Sequence, residues 1–331
     1  MPKLASFICA MAVALQAAAQ PAPVKLATIA PKGSLYHRAL QEMGEAYRRA
    51  SAPQARFIVY PDSIQGTEGD TVRRMRVGQL DGSMLTVVGL SEIDPAVTAL
   101  QYMPMMFRSW DELDHVREKL RPELEAKLAA KGFAVLLWGE GGWVQFFTKD
   151  DITTPEQFKR VRTFAWSGDI VQASVMKTLG YHPVPLPLAD ILPALESGMV
   201  GAVPVAPLWT LIGQLDRVAR HMLRVNWVPI VGATVMRRQT YEALKPEART
   251  ALRAASDKAT DALRAHREEQ DAGSIRAMQA RGLQVRELTP ELEAAWRALA
   301  EKSWPHVRGT MVPAETFDRV QAILAEYRRR Q

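Results

Sequence analysis

The sequence predicts an α/β fold with mostly parallel sheets. Segments with strand-like and helix-like patterns alternate over about 230 residues, an arrangement typical of parallel strands covered by helices. Three predicted helices begin directly after a strand and a glycine, at Gly33-Ser34, Gly66-Thr67 and Gly168-Asp169. The composition, 47% hydrophobic and 24% charged over 331 residues, indicates a globular protein with a sizeable core.

The N-terminus has the pattern of a secretory signal peptide. Lys3 is followed by the apolar run Leu4–Leu15 and the small residues Ala17–Ala19. We therefore expect residues 1–19 to be a signal peptide, cleaved near Ala19, and the mature protein to be periplasmic. The single cysteine, Cys9, lies within this segment, so we expect the exported chain to have no disulfide.

Capping residues and glycines delimit the elements of the first half of the chain. Ser34, Thr67 and Ser109 are good N-caps, and Gly132 suits the residue after a helix. The run Gly139–Gly142 is predicted to be a turn between two strands. In order, the predicted elements are strand 24–30, a helix from 34, strand 55–60, a helix from 67, strand 83–88, helix 109–130, and strands 133–138 and 143–148.

The second half begins with a capping box formed by Thr154 and Gln157, with Pro155 in the first helical turn. Beyond Pro246, alanines and leucines recur at helical spacing together with Glu/Arg pairs, which predicts one long helix. In order, the predicted elements are a helix from 154, strand 161–166, helices 169–179 and 189–197, strand 202–205, helix 246–281, and helices near 290–303 and 313–329.

Signatures of catalysis and of cofactor binding are scarce. The six histidines have no metal-ligand spacing and no cysteine partner, and neither a G-x-S-x-G elbow nor a Walker-type loop is present. The net charge of +6 arises from basic residues interspersed with acids along helices, which indicates solvated faces rather than a nucleic-acid interface. We expect a protein without enzymatic activity, cofactor, metal site or nucleic-acid partner.

The strand 161–166 and the corner that follows it are the most informative segment. Phe164 and Trp166 lie on one side of this strand because side chains alternate, and they lie near its C-terminal end. Ligands of α/β proteins gather at such corners. A free helix N-terminus attracts anions, but Asp169 would place a negative charge there. The corner therefore indicates an apolar binding site.

Seven motifs together resemble the solute-binding components of tripartite ATP-independent periplasmic (TRAP) transporters, of the DctP type. The resemblance implies two lobes around a cleft, a hinge, a long helix crossing both lobes, closure on ligand, and delivery of the solute to a membrane permease. The motifs are Leu26–Ser34, Tyr60–Glu68, Met75–Gly82, Met103–Arg108, Thr153–Glu156, Leu179–Leu186 and Gly198–Leu208.

The resemblance also implies a division of the chain. Lobe I would comprise residues 24–148 with a returning segment near 231–240, and lobe II residues 149–230. The long helix, 246–282, would cross both lobes, and helices within 283–331 would pack on them. We expect the protein to be a monomer or a homodimer.

This chain departs from the family pattern where many members hold the ligand carboxylate with an arginine. Aligned without a gap from Pro155-Glu156, that position is occupied by Phe164, and Arg162 would fill it only with a two-residue deletion. Gly201 and Val205-Ala206 likewise replace polar residues found in many members. Losing a charge-assisted pair removes about 1.5–3 kcal/mol of polar recognition. We therefore expect a solute with a sizeable apolar part, such as an organic acid, rather than a small dicarboxylate.

The candidate ligand-binding residues come from the three corners and from the walls between them. They are Phe164, Trp166 and Asp169, with Arg162 as the alternative anchor; Thr28 and Ser34; Gly66 and Glu68; and Trp143, Val205 and Pro207. Two alternatives to a transport receptor stay open: an exported α/β-fold enzyme, and a ligand-sensing interaction protein of the same fold.

Overall fold

The computed structural model describes residues 22–331, so the predicted signal peptide, with Cys9, lies outside the described residues. The strands are β1 (Val24–Thr28), β2 (Phe57–Tyr60), β3 (Gly82–Thr86), β4 (Phe133–Trp143), β5 (Gln145–Thr148), β6 (Arg162–Trp166), β7 (His182–Leu186), β8 (Ala202–Val205), β9 (His221–Arg224), β10 (Pro229–Arg237) and β11 (Gln284–Glu287).

The α-helices cover these strands. They are α1 (Leu35–Arg49), α2 (Glu68–Arg76), α3 (Val87–Ser91), α4 (Trp110–Ala130), α5 (Pro155–Lys159), α6 (Ile170–Thr178), α7 (Ile191–Glu196), α8 (Pro207–Ile212), α9 (Arg238–Ala243), α10 (Pro246–Gln279), α11 (Pro290–Val307) and α12 (Ala314–Arg328). Among the described residues, no helix has both the length and the hydropathy required to cross a membrane.

The strands form two sheets, with the orders β2-β1-β3-β10-β4 and β11-β9-β5-β8-β6-β7. Parallel pairs join β1 to β2 and β3, β6 to β7 and β8, and β9 to β11. Antiparallel pairs join β10 to β3 and β4, and β5 to β8 and β9. The predicted α/β class with mostly parallel sheets is confirmed, and β5 and β10, which follow the crossings between sheets, supply the antiparallel pairs.

The chain crosses from the first sheet to the second at Val144 and returns near Val228. These two crossing segments are hydrogen-bonded to each other: Val144 N donates to Val228 O at 2.9 Å, and Trp227 N donates to Val144 O at 3.0 Å. Because the first crossing occurs at Val144, the strand 145–148 belongs to the second sheet, whereas the sequence grouped it with the first lobe. The returning segment, β10, lies in the first sheet.

The glycine run Gly139–Gly142 was predicted to be a turn and is instead part of β4, which continues to Trp143. Its backbone is closely packed: a Cβ on Gly141 would lie 2.9 Å from Ile230 Cγ2, and one on Gly142 would lie 2.5 Å from Asp271 Oδ1. The glycines therefore permit close approach of neighbouring strands and of α10 beside the crossing.

Three of the predicted N-caps are confirmed at the predicted residues. Ser34 accepts a hydrogen bond from His37 N, and Ser109 accepts one from Glu112 N. Thr67 forms a reciprocal capping box with Asp70, as its side chain and its backbone N–H both take part. These contacts depend on residues three positions apart, which is why the sequence reveals them.

The long helix α10 spans both halves of the molecule, since it packs on α1 and β4 on one side and on α8 on the other. Helix α11 also joins them: Trp296 Nε1 donates to Thr153 O at 2.8 Å, and Trp304 Nε1 donates to Pro104 O at 3.0 Å. Helix α12 packs on α4. Helices α10 and α11 therefore tie the two sheets together around the space between them.

Candidate functional site

A cavity of about 860 Å³ lies between the two sheets. Its walls come from the segments after β1, β2 and β3, from β5, β6 and the start of α6, and from α11. The volume is at the upper end of the range of roughly 300–1,000 Å³ in which proteins bind drug-sized molecules. A second cavity of about 60 Å³ adjoins the crossing strands.

One end of the cavity is a cluster of aromatic rings contributed by β5, α5, the second crossing and α11. Phe146 stacks on Phe158 with ring centroids 4.5 Å apart, and Trp296 meets Phe146 edge-on at 5.1 Å. The ring centroid of Trp227 lies 5.5 Å from that of Phe146. We call Phe146, Phe158, Trp227 and Trp296 the aromatic end; all four line the cavity.

Phe164 and Trp166 of β6 extend the apolar wall. Both line the cavity, and their rings form an edge-to-face pair with centroids 5.1 Å apart. Phe164 is buried, whereas Trp166 is half-buried at the end of the strand. This placement follows from the alternation of side chains along β6, which turns Thr163 and Ala165 away from Phe164.

Another part of the cavity wall contains two buried carboxylates, and we call Glu68, Gln101, Tyr102 and Asp169 the polar end. Glu68 accepts hydrogen bonds from Thr86, from the hydroxyl at 2.7 Å and from the backbone N–H. Burial raises the pKa of Glu68 above its usual range, although the bonds from Thr86 oppose that rise. The Glu68 carboxylate therefore occupies donors at the start of α3.

Asp169 caps α6 and connects the two sides of the cavity. Its Oδ1 accepts from Gln172 N at 2.9 Å, and its Oδ2 accepts a hydrogen bond from the hydroxyl of Tyr102. Burial raises the pKa of Asp169, and the bonds from Tyr102 and Gln172 partly offset that effect. Burial also raises the pKa of Tyr102 well above its usual range, so its hydroxyl stays protonated and donates.

Cations are nearly absent from the cavity wall. Among the described lining residues, Arg73 is the only lysine or arginine. Its side chain is 67% exposed and forms an ion pair with Asp70. The N-termini of α2 and α6 face the cavity, and each already has an acidic partner: Asp70 completes the capping box of α2, and Asp169 is the N-cap of α6. The cavity therefore offers little to a doubly charged anion.

The structure brings six of the sequence-predicted site residues to the large cavity and places five elsewhere. Those that line it are Gly66, Glu68, Phe164, Trp166, Asp169 and Val205. Those that do not are Thr28, Ser34, Trp143, Arg162 and Pro207. Their roles in ligand binding remain predictions.

The residues placed elsewhere have local structural roles. Arg162 is exposed at the start of β6, at the opposite end of that strand from Trp166. Trp143 is buried against Trp110, with ring centroids 4.9 Å apart, and Thr28 lines the small cavity.

Ser34 caps α1 away from the cavity. Pro207 is the first residue of α8, and Trp209 and Ile212 of that helix line the cavity instead.

Sequence reasoning missed Gln101, Tyr102 and the rings of the aromatic end. Phe146 is 3% exposed, as is typical of core packing, and it also lines the cavity. Trp227 and Trp296 are distant in sequence from any corner motif. Their only signal was the high number of tryptophans, eight in the chain.

The geometry agrees with comparisons of the whole chain. Residues 26–309 match the DctP family, described as "Bacterial extracellular solute-binding protein, family 7". This chain belongs to that family. Its members are the solute-binding components of TRAP transporters, which are transport proteins rather than enzymes, so the predicted family and the predicted lack of enzymatic activity are both confirmed. The enzyme alternative is thereby set aside.

Individual relatives are distant in sequence but similar in fold. The C4-dicarboxylate-binding periplasmic protein DctP of Rhodobacter capsulatus is 22% identical over 322 residues, covering 96% of this chain and 95% of the relative. The Xanthobacter autotrophicus TRAP solute-binding protein with bound β-D-galacturonate matches with TM-score 0.81 and 19% identity, covering 91% and 99% of the two chains.

A third similar structure is the TRAP solute-binding protein of Desulfovibrio desulfuricans with bound sn-glycerol-3-phosphate. It matches with TM-score 0.83 and 18% identity, covering 93% of this chain and 97% of the other. Within residues 22–331, no group of three or more His, Cys, Asp or Glu side chains could hold a metal ion.

Proposed function

We propose that this protein is the periplasmic receptor of a TRAP transporter that captures an organic acid with a sizeable apolar part and delivers it to a separate membrane permease. The single observation that carries the apolar part of this proposal is the cavity itself. Its aromatic end and its Phe164–Trp166 wall provide rings, while Arg73, the one cation among the lining residues that the structure describes, is exposed and paired.

The energetic comparison favours such a solute. Burying about 100 Å² of apolar ligand surface contributes roughly 2.5 kcal/mol. This value lies within the range of roughly 1.5–3 kcal/mol that a charge-assisted hydrogen-bonded pair supplies. A cavity with many rings can therefore replace the guanidinium that many family members use, provided that the ligand is large and apolar. The three relatives named above bind C4-dicarboxylates, β-D-galacturonate and sn-glycerol-3-phosphate, which supports a small organic acid as the general class.

Closure around the ligand is part of the proposal. The bond from Tyr102 to Asp169 joins the segment after β3 to the start of α6, on opposite sides of the cavity. Such a contact stabilises a closed form, and the hydrogen-bonded crossing segments at Val144 and Val228 supply the hinge. The export signal of residues 1–19, with cleavage near Ala19, belongs to the same proposal.

Ligand-dependent thermal unfolding tests this function. The ligand-free protein is mixed with matched acids: succinate and malate in one series, 4-phenylbutanoate and longer aromatic or alkyl acids in the other. We expect the second series to raise Tm, because a ligand at 100 times its Kd stabilises the folded state by about 2.7 kcal/mol. Stabilisation by succinate or malate alone would refute the apolar solute. Native mass spectrometry of protein purified from cells would then identify the retained molecule.

A further inference from the structure

We propose that Gln101 binds the polar head of the solute through its neutral amide N–H groups, and that this head is one oxygen-bearing group, either a carboxylate or a carbonyl. This inference rests on the proposed function, since it concerns the same cavity. It assigns to Gln101 the task that a guanidinium performs where a binding site uses an ion pair. Three observations carry it.

The orientation of the Gln101 amide is fixed by the backbone. Val231 N donates a hydrogen bond of 2.9 Å to Gln101 Oε1, and Val231 is fully buried in β10. A backbone N–H can only donate, so the amide atom that faces it must be the oxygen. The amide therefore cannot flip, and Nε2 is directed to the other side of the group.

The Nε2 group has no hydrogen-bond partner among residues 22–331. Gln101 is only 8% exposed, yet Val231 N–H is the one described hydrogen-bond partner of its side chain. Gln101 Nε2 is not among the fully buried side-chain atoms that lack a partner, and the residue lines the large cavity. Its two N–H groups therefore meet the cavity space, where a ligand oxygen would satisfy them.

The neighbours of Gln101 restrict what kind of head can bind. Tyr102, the next residue, donates its hydroxyl proton to Asp169, and Glu68 accepts from Thr86. A ligand with two carboxylates would place a second negative charge beside these two buried acids. A ligand with one oxygen-bearing head limits this repulsion to one charge if the head is a carboxylate and avoids it if the head is a carbonyl, and its apolar body can contact the rings that line the same cavity.

Replacing Gln101 by Glu tests the Nε2 donor separately from the rest of the side chain. Gln101→Glu keeps an oxygen that accepts from Val231 N–H, and it substitutes an acceptor for the Nε2 donor at nearly constant volume. Gln79→Glu is the matched control, because it makes the same chemical change at an exposed residue outside the cavity. If Gln101→Glu proves less stable, Gln101→Met removes the donor without adding an acid.

Titration calorimetry at pH 7.5 compares three compounds with the same apolar body: 4-phenylbutanoate, 4-phenylbutanamide and 4-phenylbutylamine. We expect wild type and Gln79→Glu to bind the acid or the amide, and Gln101→Glu and Gln101→Met to bind them at least tenfold more weakly. Preference for the acid over the amide identifies a carboxylate head, and the reverse identifies a carbonyl. The amine, which has no oxygen acceptor, should not lose affinity in either variant.

Two results would overturn parts of this scheme, and they are distinguishable. If wild type binds the oxygen-headed compounds and the Gln101 variants bind them within twofold of wild type, Gln101 is not the anchor, and the proposed function is unaffected. If wild type binds none of the three and is stabilised by succinate or malate, the proposed apolar solute is wrong, and the assignment of Gln101 fails with it.

Discussion

Two buried regions of this protein handle charge in opposite ways. Between α4, β4 and α10, the guanidinium groups of Arg117 and Arg267 are paired with carboxylates. Arg117 contacts Glu140 and lies 2.8 Å from Asp114, and Arg267 forms two bonds with Asp114, at 3.0 and 2.8 Å. The cavity also buries carboxylates, Glu68 and Asp169, but without a buried cation among its described lining residues.

Asp114 and Asp271, neither of which lines the cavity, show how a buried guanidinium partner changes the pKa of a buried carboxyl. Burial alone would raise the pKa of Asp114, but hydrogen bonds from Arg267 and the charge of Arg117 outweigh it and hold that pKa below its usual range. Asp271, on the same helix as Arg267, has no such partner. Burial raises its pKa to about 7, against the opposing bond from Trp143 N–H. Like Asp271, the cavity carboxylates Glu68 and Asp169 have no guanidinium partner among the described residues, and burial raises the pKa of each.

The largest expected effect concerns the ion pairs. Arg117 is 1% exposed, so Arg117→Met leaves Glu140 buried without its main partner. We expect a loss of about 3–5 kcal/mol in the free energy of unfolding, measured by urea denaturation. Arg121→Met on the same helix is the control, because Arg121 is 51% exposed, and its removal should change stability by no more than about 0.5 kcal/mol. Equal effects would show that burial does not distinguish the two arginines.

A smaller effect is expected at the polar end of the cavity. Tyr102→Phe keeps the ring and removes the hydroxyl that donates to Asp169 across the cavity. A hydrogen bond to a charged group contributes about 1.5–3 kcal/mol, so we expect ligand affinity to fall at least tenfold, mainly through faster dissociation. Stopped-flow release of the retained ligand measures this rate. Tyr47→Phe, which is outside the cavity, should release ligand at the wild-type rate, and an unchanged rate in Tyr102→Phe would contradict the closing role of that bond.

The smallest effect is a pH dependence at the hinge. Asp271 accepts from Trp143 N at 3.0 Å, and its other carboxylate oxygen is buried without a partner. Its folded pKa, about 7, lies above the unfolded value, so its stabilising contribution is complete below about pH 4 and is lost as the pH rises through 7.

Asp271→Asn is uncharged at every pH and removes that loss. Between pH 5 and pH 9, we expect the free energy of unfolding of wild type to fall by about 1 kcal/mol or more relative to that of Asp271→Asn. Urea denaturation across this range measures it. Asp257→Asn, an exposed change on the same helix, should follow the wild-type curve. Parallel curves for wild type and Asp271→Asn would show that Asp271 titrates normally.

The sequence predicted the local features of the site more successfully than it predicted which residues line the site. The cap of α6 by Asp169 and the shared face of Phe164 and Trp166 follow from residues two or three positions apart. Gln101 was missed because its partner, Val231, is 130 residues away. Trp143 and Trp166 look alike as tryptophans beside strand ends, yet one packs at the hinge and the other lines the cavity.

By itself, the sequence determined the α/β class, most helix boundaries, the caps and the family, because these depend on short-range patterns and on motifs with fixed spacing. Only the tertiary structure decided where the chain crosses between sheets, that β4 runs through its glycines, and which rings and polar groups meet in the cavity. Those outcomes depend on contacts between residues far apart in the chain. Such contacts form only when both sheets and the helices that join them are packed.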